Sequence, residues 1–440
     1  MRPTPLNTSL KQRFQRKDKA LKNISVLPNG LRVVTDAMPE LETVSLGVYV
    51  GVGAMFEPEN INGISHLLEH MAFKGTTTRS ARDIAEQVED VGGYINACTS
   101  RETTAFYLKL LKEDVPLGVD ILADILQNSV FDEEEFAREK TVVLQEISQS
   151  NDTPDDIVFD YFQQTAYPDQ AIGRPVLGDA KTVNGISRET IKNFMKTNYV
   201  PSRMVVSAAG NVNHDAFVAL VNEKFGGLKD SQGLVAADFN YIGGDFRKEK
   251  DIEQVNIVLG FNGLSYYDNS YYTAHILSTI LGGGMSSRLF QEIREKKGLV
   301  YSIYSFASVY TKGGVFGIYA GTGKEEAAQV LPAICEEINK IRPDVTDEEF
   351  RRAKTQLRAS VLMSLEHPSA RSEQNASHLL IFDRLIEKDE ILNKIAAVQK
   401  QDVVDLAQTI FAHKPTLASL GPVRHIMDYD KLCAVLKQGA

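Results

Sequence analysis

The sequence predicts an α+β fold built from two copies of one unit. Two observations carry this. Short segments that alternate apolar and polar residues, as half-buried strands do, are interspersed with longer runs at helical spacing. The order of these segments in the first half then recurs in the second.

The first unit opens with strand-like alternation over 23–36, turned at Pro28-Asn29-Gly30, and again over 43–52. An apolar, helix-prone run follows at Ile64–Phe73, then a helix near Ala81–Val91 and two strands, Gly93–Cys98 and Thr104–Leu111. Helices are expected near 113–128, 132–149, 153–165 and 187–197, and a strand at 203–209 and a helix at 214–225 close the unit. In the second unit, Val255–Phe261 reads as a strand, followed by helices at 268–281 and 286–297 and strands at 299–307 and 314–320. Helices at 324–341, 346–366 and 370–386, a strand at 416–420 and a short helix at 429–437 complete it. Met204–Gly210 and Thr416–Gly421 occupy matching places, as do Gly93–Asn96 and Gly298–Tyr301. The Gly- and charge-rich stretch near Gly226–Lys250 reads as the connection. The expected division is a basic tail over 1–22, a first domain over 23–228, a linker over 229–248 and a second domain over 249–440.

Composition narrows the function. The chain has 440 residues, 43% of them hydrophobic, enough for two ordinary cores. Its net charge of −10 argues against nucleic acid as a general partner and favours cationic ligands. Cys98, Cys335 and Cys433 are scattered and odd in number, so no disulfide framework or cysteine zinc site is expected, and a reducing compartment fits. No run of apolar residues is long enough for a membrane span. The basic tail (Arg2, Lys11, Arg13, Arg16, Lys17, Lys19, Lys22 against Asp18) lacks the apolar core of a secretory signal. It suits an organellar presequence or a solvated tail.

The chemistry concentrates at His66-Leu67-Leu68-Glu69-His70. Residues four apart on a helix lie one turn apart on one face, so His66 and His70 can aim at one point. Two neutral imidazoles at that spacing suit zinc, and a carboxylate from elsewhere would complete three ligands and leave a position for water. Glu69 can reach that water and take its proton. The order inverts H-E-x-x-H and matches the inverted class of zinc peptidase motifs. Two histidines so spaced can also be ordinary core groups, and only the rest of the chain decides between the two.

A second helix, 132–149, supplies candidates for the third ligand. Asp132 can cap it, with Glu135 completing a capping box, which accounts for Glu133 to Glu135 without chemistry. Glu139 and Glu146 stand two turns apart on one face with Val142 and Val143 between them. Glu146 is taken as the third zinc ligand and Glu139 as the residue that steadies the site. Either alone would pass as a surface glutamate paired with Arg138 or Lys140.

With these residues in place the chain resembles the M16 (pitrilysin, insulinase, mitochondrial processing peptidase) family of zinc peptidases. Four motifs in order carry the resemblance: His66–Thr76, Gly92–Glu102, Gly282–Gln291 and Ile293–Tyr301. The first is close to the motif of the processing peptidase β-subunit, and the similarity runs from about Val26 to Pro422. The fold it implies is two homologous domains of the M16 type, each an antiparallel-rich sheet flanked by helices.

The resemblance also implies roles. His66, His70 and Glu146 hold one Zn2+ per chain, Glu69 is the general base, and Glu139 is a further acidic residue of the site. Asn96 and Ala97 lie on the edge strand that pairs with peptide substrate through the main chain. Arg294 and Tyr301 come from the second half, the tyrosine hydroxyl bonding the scissile carbonyl. Asp156 and Asp160 recognise an arginine near the cleavage point, since carboxylates four apart on a helix can share one guanidinium. Phe73 lines the pocket just beyond the cut, although a core residue would look the same.

Gly282-Gly-Gly284 is a short turn, not the long glycine-rich loop of the processing peptidase α-subunit, so the chain is of the catalytic type. The family encloses substrate in a chamber of four such domains. This chain supplies two and so implies a partner, a second copy in a homodimer or an M16 homologue in a heterodimer. The expectation is a zinc metalloendopeptidase acting on extended, basic, presequence-like peptides. The rivals are a general oligopeptide-degrading M16 peptidase and a non-catalytic structural subunit of the respiratory-complex core type, whose motifs are usually broken. The short tail favours a bacterial cytoplasmic enzyme over a mitochondrial matrix subunit.

Overall fold

In a computed structural model the protein is described over residues 22–438. The expected basic tail lies outside these residues apart from Lys22. The first sheet comprises β1 (Lys22–Val26), β2 (Arg32–Ala37), β3 (Thr43–Val50), β4 (Tyr94–Thr99), β5 (Thr104–Leu111) and β6 (Met204–Gly210), in the order β1-β2-β6-β3-β5-β4. The second comprises β7 (Gly244–Glu249), β8 (Gln254–Asn262), β9 (Ser302–Tyr310), β10 (Gly313–Gly323) and β11 (Thr416–Gly421), in the order β7-β11-β8-β10-β9. In both sheets one pair is parallel, β2 with β6 and β7 with β11, and every other neighbour is antiparallel. Apart from β1 the two orders match strand for strand. The repetition read in the sequence is therefore a repetition of topology, with β4 and β9 as equivalent edges.

Among the departures from expectation, three bear on the architecture. The stretch expected as a linker over 229–248 ends in β7, whose Arg247, Lys248 and Glu249 hide the strand. Parallel pairing with β11 and packing of Phe246 on Tyr161, ring centroids 4.5 Å apart, hold it. Helices Lys388–Ala397 and Lys400–Phe411 fill a region where no element was expected, burying Ile391, Ile395, Val403 and Ile410. The helix expected over 286–297 appears as a π-helical segment, Phe290–Lys296.

The two units are tied by an exchange of helices. Pro154–Ala166, from the first unit, lays Ile157, Val158 and Phe162 on the second sheet against Val258, Val315 and Ala418. Gly260 in β8 makes the room, because a Cβ there would stand 2.5 Å from the Phe162 ring. Pro368–Phe382, from the second unit, lays Ala376 and Leu379 on the first sheet against Val34, Tyr49 and Val205. The neighbouring Val33, Val48 and Val206 face the first unit's own core. Both faces are thus covered, which explains the continuous apolar character of β3 and β6. Asp36, fully buried, meets Arg371 of the exchanged helix at 3.1 Å.

This exchange should dominate the cohesion of the two halves. Phe162→Ala is expected to cost about 3–5 kcal/mol and to lower the thermal midpoint clearly. An unchanged midpoint would show that the borrowed helix is not a principal tie.

Candidate metal centre

The motif helix, Ile64–Ala72, is fixed at its start by a carboxylate that sequence reading missed. Glu57 is 2% exposed and accepts from Gly63 N (2.7 Å), Ser65 N (2.8 Å) and Asn62 Nδ2 (2.8 Å). It satisfies amides that the first helical turn leaves unpaired and sets a negative charge at the positive end of the helix. Burial pushes its pKa up, against the pull of those hydrogen bonds. Gly63 has φ +94, and a Cβ would meet Leu177 O at 2.6 Å, so glycine is required at the helix entry.

His66 and His70 then stand one turn apart, ring centroids 4.7 Å apart. The second helix, Glu133–Asp152, runs alongside. Asp132 caps it by accepting from Glu134 N and Glu135 N. The expected capping box does not form, because Glu135 pairs with Arg138 instead. Farther along, Glu146 Oε2 lies 3.6 Å from His66 Nε2 and 3.4 Å from His70 Nε2. The three residues form a cluster able to hold a metal ion, with ligand atoms all within 4.8 Å of one another.

The donor set fits zinc. Ligand atoms at ordinary Zn–N and Zn–O distances in a tetrahedral shell stand about 3.3 Å apart. That is close to the separations seen and longer than a good hydrogen bond. Glu146 Oε2 is buried without a hydrogen-bond partner, an arrangement costly for a carboxylate unless a cation shares the site. Burial, reinforced by the His70 charge, lowers the His66 pKa from 6.5 to about 4, so its imidazole is neutral and its lone pair available. His70 Nδ1 lies 3.0 Å from Glu139 Oε2. That contact places the proton on Nδ1 and turns Nε2 toward the cluster. Glu139 is itself 3% exposed and held by Lys74 Nζ at 2.8 Å.

Glu69 has no cationic partner among the described residues. Thr99 Oγ1 donates to its Oε2 at 2.6 Å. Burial raises the Glu69 pKa while Thr99 and the His70 charge pull it down. A carboxylate so placed is a stronger base than a solvated glutamate.

The remaining expected residues fall in four places. Asn96 and Ala97 lie on β4, which among the described residues is an edge strand and pairs with β5 alone. Asn96 Nδ2 donates to Tyr94 OH (2.7 Å), and Ala97 N donates to Asn96 Oδ1 (2.9 Å). Phe73 is half-buried, 6.2 Å from Phe106, as part of the core boundary. Asp156 is exposed and accepts from Ser150 Oγ (2.9 Å), while Asp160 already has a guanidinium, Arg101 Nη2 at 3.3 Å. Tyr301 is 64% exposed just before β9, and Arg294 stacks over Phe290 at 4.6 Å. Among the described residues neither bonds to the histidine cluster.

Against known families, residues 32–180 match the insulinase (peptidase family M16) model and 185–357 match the peptidase M16 inactive domain. An uncharacterized zinc protease of Rickettsia felis is 42% identical over 91% of this chain and 97% of its own. The chain belongs to peptidase family M16. An uncharacterized zinc protease of Bacillus subtilis is 38% identical over 90% of the M16 chain and 97% of its own. A probable mitochondrial-processing peptidase β-subunit of Arabidopsis thaliana is 34% identical over 93% and 80%. Among solved structures, a Helicobacter pylori protease shares the fold with TM-score 0.86 at 24% identity, covering 91% of this chain and 99% of that one. A chain of Candida albicans complex III2 shares it with TM-score 0.84 at 19% identity, covering 94% and 99%. Relatives named as zinc proteases support a metallopeptidase.

Thr99, Lys74 and Glu57 are the site residues that sequence reading did not single out. Each acts through a contact made by folding, and none has a spacing signature. Removing the partner of the His70 ring should loosen the metal. Glu139→Gln is expected to weaken zinc affinity about 10- to 100-fold, read by competition with a chromogenic chelator.

Proposed function

We propose that the chain is a zinc-dependent endopeptidase that cleaves extended, basic peptides. The convergence of His66, His70 and Glu146, with Glu69 beside them and in no ion pair among the described residues, carries this reading. Zinc held by these three residues, one per chain, would polarise the scissile carbonyl and acidify a water. Glu69 takes the proton of the attacking water and returns it to the leaving amine. Glu139 keeps the His70 ring in the required tautomer. The first domain, 23–228, is thus the catalytic one, and the second, which begins with β7 at Gly244, contributes to substrate binding.

The open edge of β4 at Asn96 and Ala97 suits main-chain pairing with an extended peptide. Tyr301, largely exposed and able to donate from its hydroxyl, is assigned to the scissile carbonyl, with Arg294 beside it on the substrate. Asp156 and Asp160 are assigned to a basic side chain and Phe73 to the neighbouring pocket. Of these, Asp156 is the carboxylate open to a cation, since Asp160 is engaged by Arg101. The net charge of −10 and the relative named as a processing peptidase β-subunit support basic, presequence-like substrates. Two M16 units per chain suit a chamber completed by dimerisation, with a second copy or a homologue. The bacterial zinc proteases among the relatives support a bacterial cytoplasmic setting, with the mitochondrial matrix as the alternative. Among the described residues no helix is long and apolar enough to cross a membrane.

Glu69→Gln should retain zinc and lose turnover by several orders of magnitude, measured by metal analysis and peptide hydrolysis on one sample. Turnover retained in that variant would remove Glu69 as the base, and a wild-type chain without zinc or hydrolysis would favour a structural subunit. Cleavage-site mapping on peptides with arginine or citrulline near the cut should show a preference for arginine that falls in Asp156→Asn. Equal cleavage of both peptides would favour a general oligopeptide degrader.

A further inference from the structure

The residues that follow the edge strand form one connected device. Thr99, the last residue of β4, donates to Glu69. The turn beyond it is closed by Ser100 N to Thr103 O (2.8 Å) and seated on the loop before the motif helix through Ala54 N to Ser100 O (3.1 Å) and Met55 N to Arg101 O (2.9 Å). Gly53 permits that seat, since a Cβ would meet Ser100 O at 2.3 Å. Arg101 reaches the exchanged helix, Nη2 to Asp160 at 3.3 Å, and donates from Nε to Ile172 O at 3.2 Å. Glu102 crosses to the second unit and accepts Thr311 N with both carboxylate oxygens, at 3.0 and 3.1 Å, as well as the Thr311 hydroxyl. Thr311 lies between β9 and β10, the counterpart of this turn in the second sheet.

We propose that Thr99 is a positioning residue for Glu69 and that the second unit, through Thr311 and Glu102, holds the turn that carries it. The proposal rests on the reading of Glu69 as general base. A glutamate carboxylate on three rotatable bonds has many orientations, and few present a free oxygen to the reacting water. Binding Oε2 to Thr99 leaves Oε1 as that oxygen and removes the freedom that a transition state would otherwise have to restrict. The second unit, in which His275 has no companion histidine four residues away, then also contributes to chemistry by holding this turn.

The test uses the full chain, an extended basic peptide, and three readouts on each sample: kcat and KM, zinc content, and thermal midpoint. Thr99→Val removes the donor and keeps the shape. It should lower kcat about tenfold with KM, zinc content and midpoint unchanged, and Thr99→Ser should restore most of the loss. Glu102→Gln and Thr311→Val should lower kcat more weakly, about threefold, with zinc content unchanged, and wild-type kcat in both would overturn the role given to the second unit. Wild-type kcat in Thr99→Val, or Thr99→Ser as slow as the valine variant, overturns the proposal. So does a kcat loss in Thr99→Val that comes with lost zinc or a lowered midpoint, because that marks a structural role. Undiminished turnover in Glu69→Gln would instead overturn the reading of Glu69 as base, and the proposal with it.

Discussion

The clamping of one short helix at both ends is what the rest of the molecule serves. Ile64–Ala72 is two and a half turns long, and a helix of that length has little stability of its own. Glu57 holds its first amides, and Glu139 with Lys74 holds the ring of His70 near its end. Between those contacts, Leu67, Leu68 and Met71 are fully buried and fix the rotation of the helix about its axis. With position and rotation set, both imidazoles face Glu146 and Glu69 faces Thr99.

Four glutamates around this helix have four different tasks, and their neighbours decide which. Glu57 meets backbone amides and the Asn62 amide and acts as a cap. Glu139 meets a lysine and an imidazole and acts as an orienting group. Glu146 meets two imidazole nitrogens with no donor at its buried oxygen and suits a metal. Glu69 meets one hydroxyl and keeps its basicity. The side chain is the same in each case. Burial raises the cost of its charge, and the partner supplied at each place determines how that cost is met.

The exchange of helices accounts for the attachment of a unit that, among the described residues, has no cluster able to hold a metal ion. Each sheet is covered on one face by its own helices and on the other by a helix of the opposite unit, so neither sheet is complete alone. The same arrangement brings Arg101 to the exchanged helix and Glu102 to Thr311, both from the turn that begins beside Glu69. Cohesion of the halves and geometry of the site therefore share residues.

The sequence by itself determined the duplicated α+β order, the pairing of His66 with His70 and the reach of Glu69. Each of these depends on spacing within a few residues, which helix and strand geometry converts directly into direction. It also marked Glu146, because a carboxylate on the apolar side of a helix is hard to explain as solvated charge. It did not show β7, whose charges conceal a strand made by its neighbour β11, or the helices at 388–397 and 400–411. Nor did it show Glu57, Lys74 and Thr99, or that Asp160 already has Arg101 as a partner. Those contacts join residues distant in sequence and carry no period, so only the packing of the two units decided them. The physical reason is that local geometry is written in neighbouring side chains, whereas the partner of a buried charge is chosen by whichever group the folded chain brings within about 3 Å.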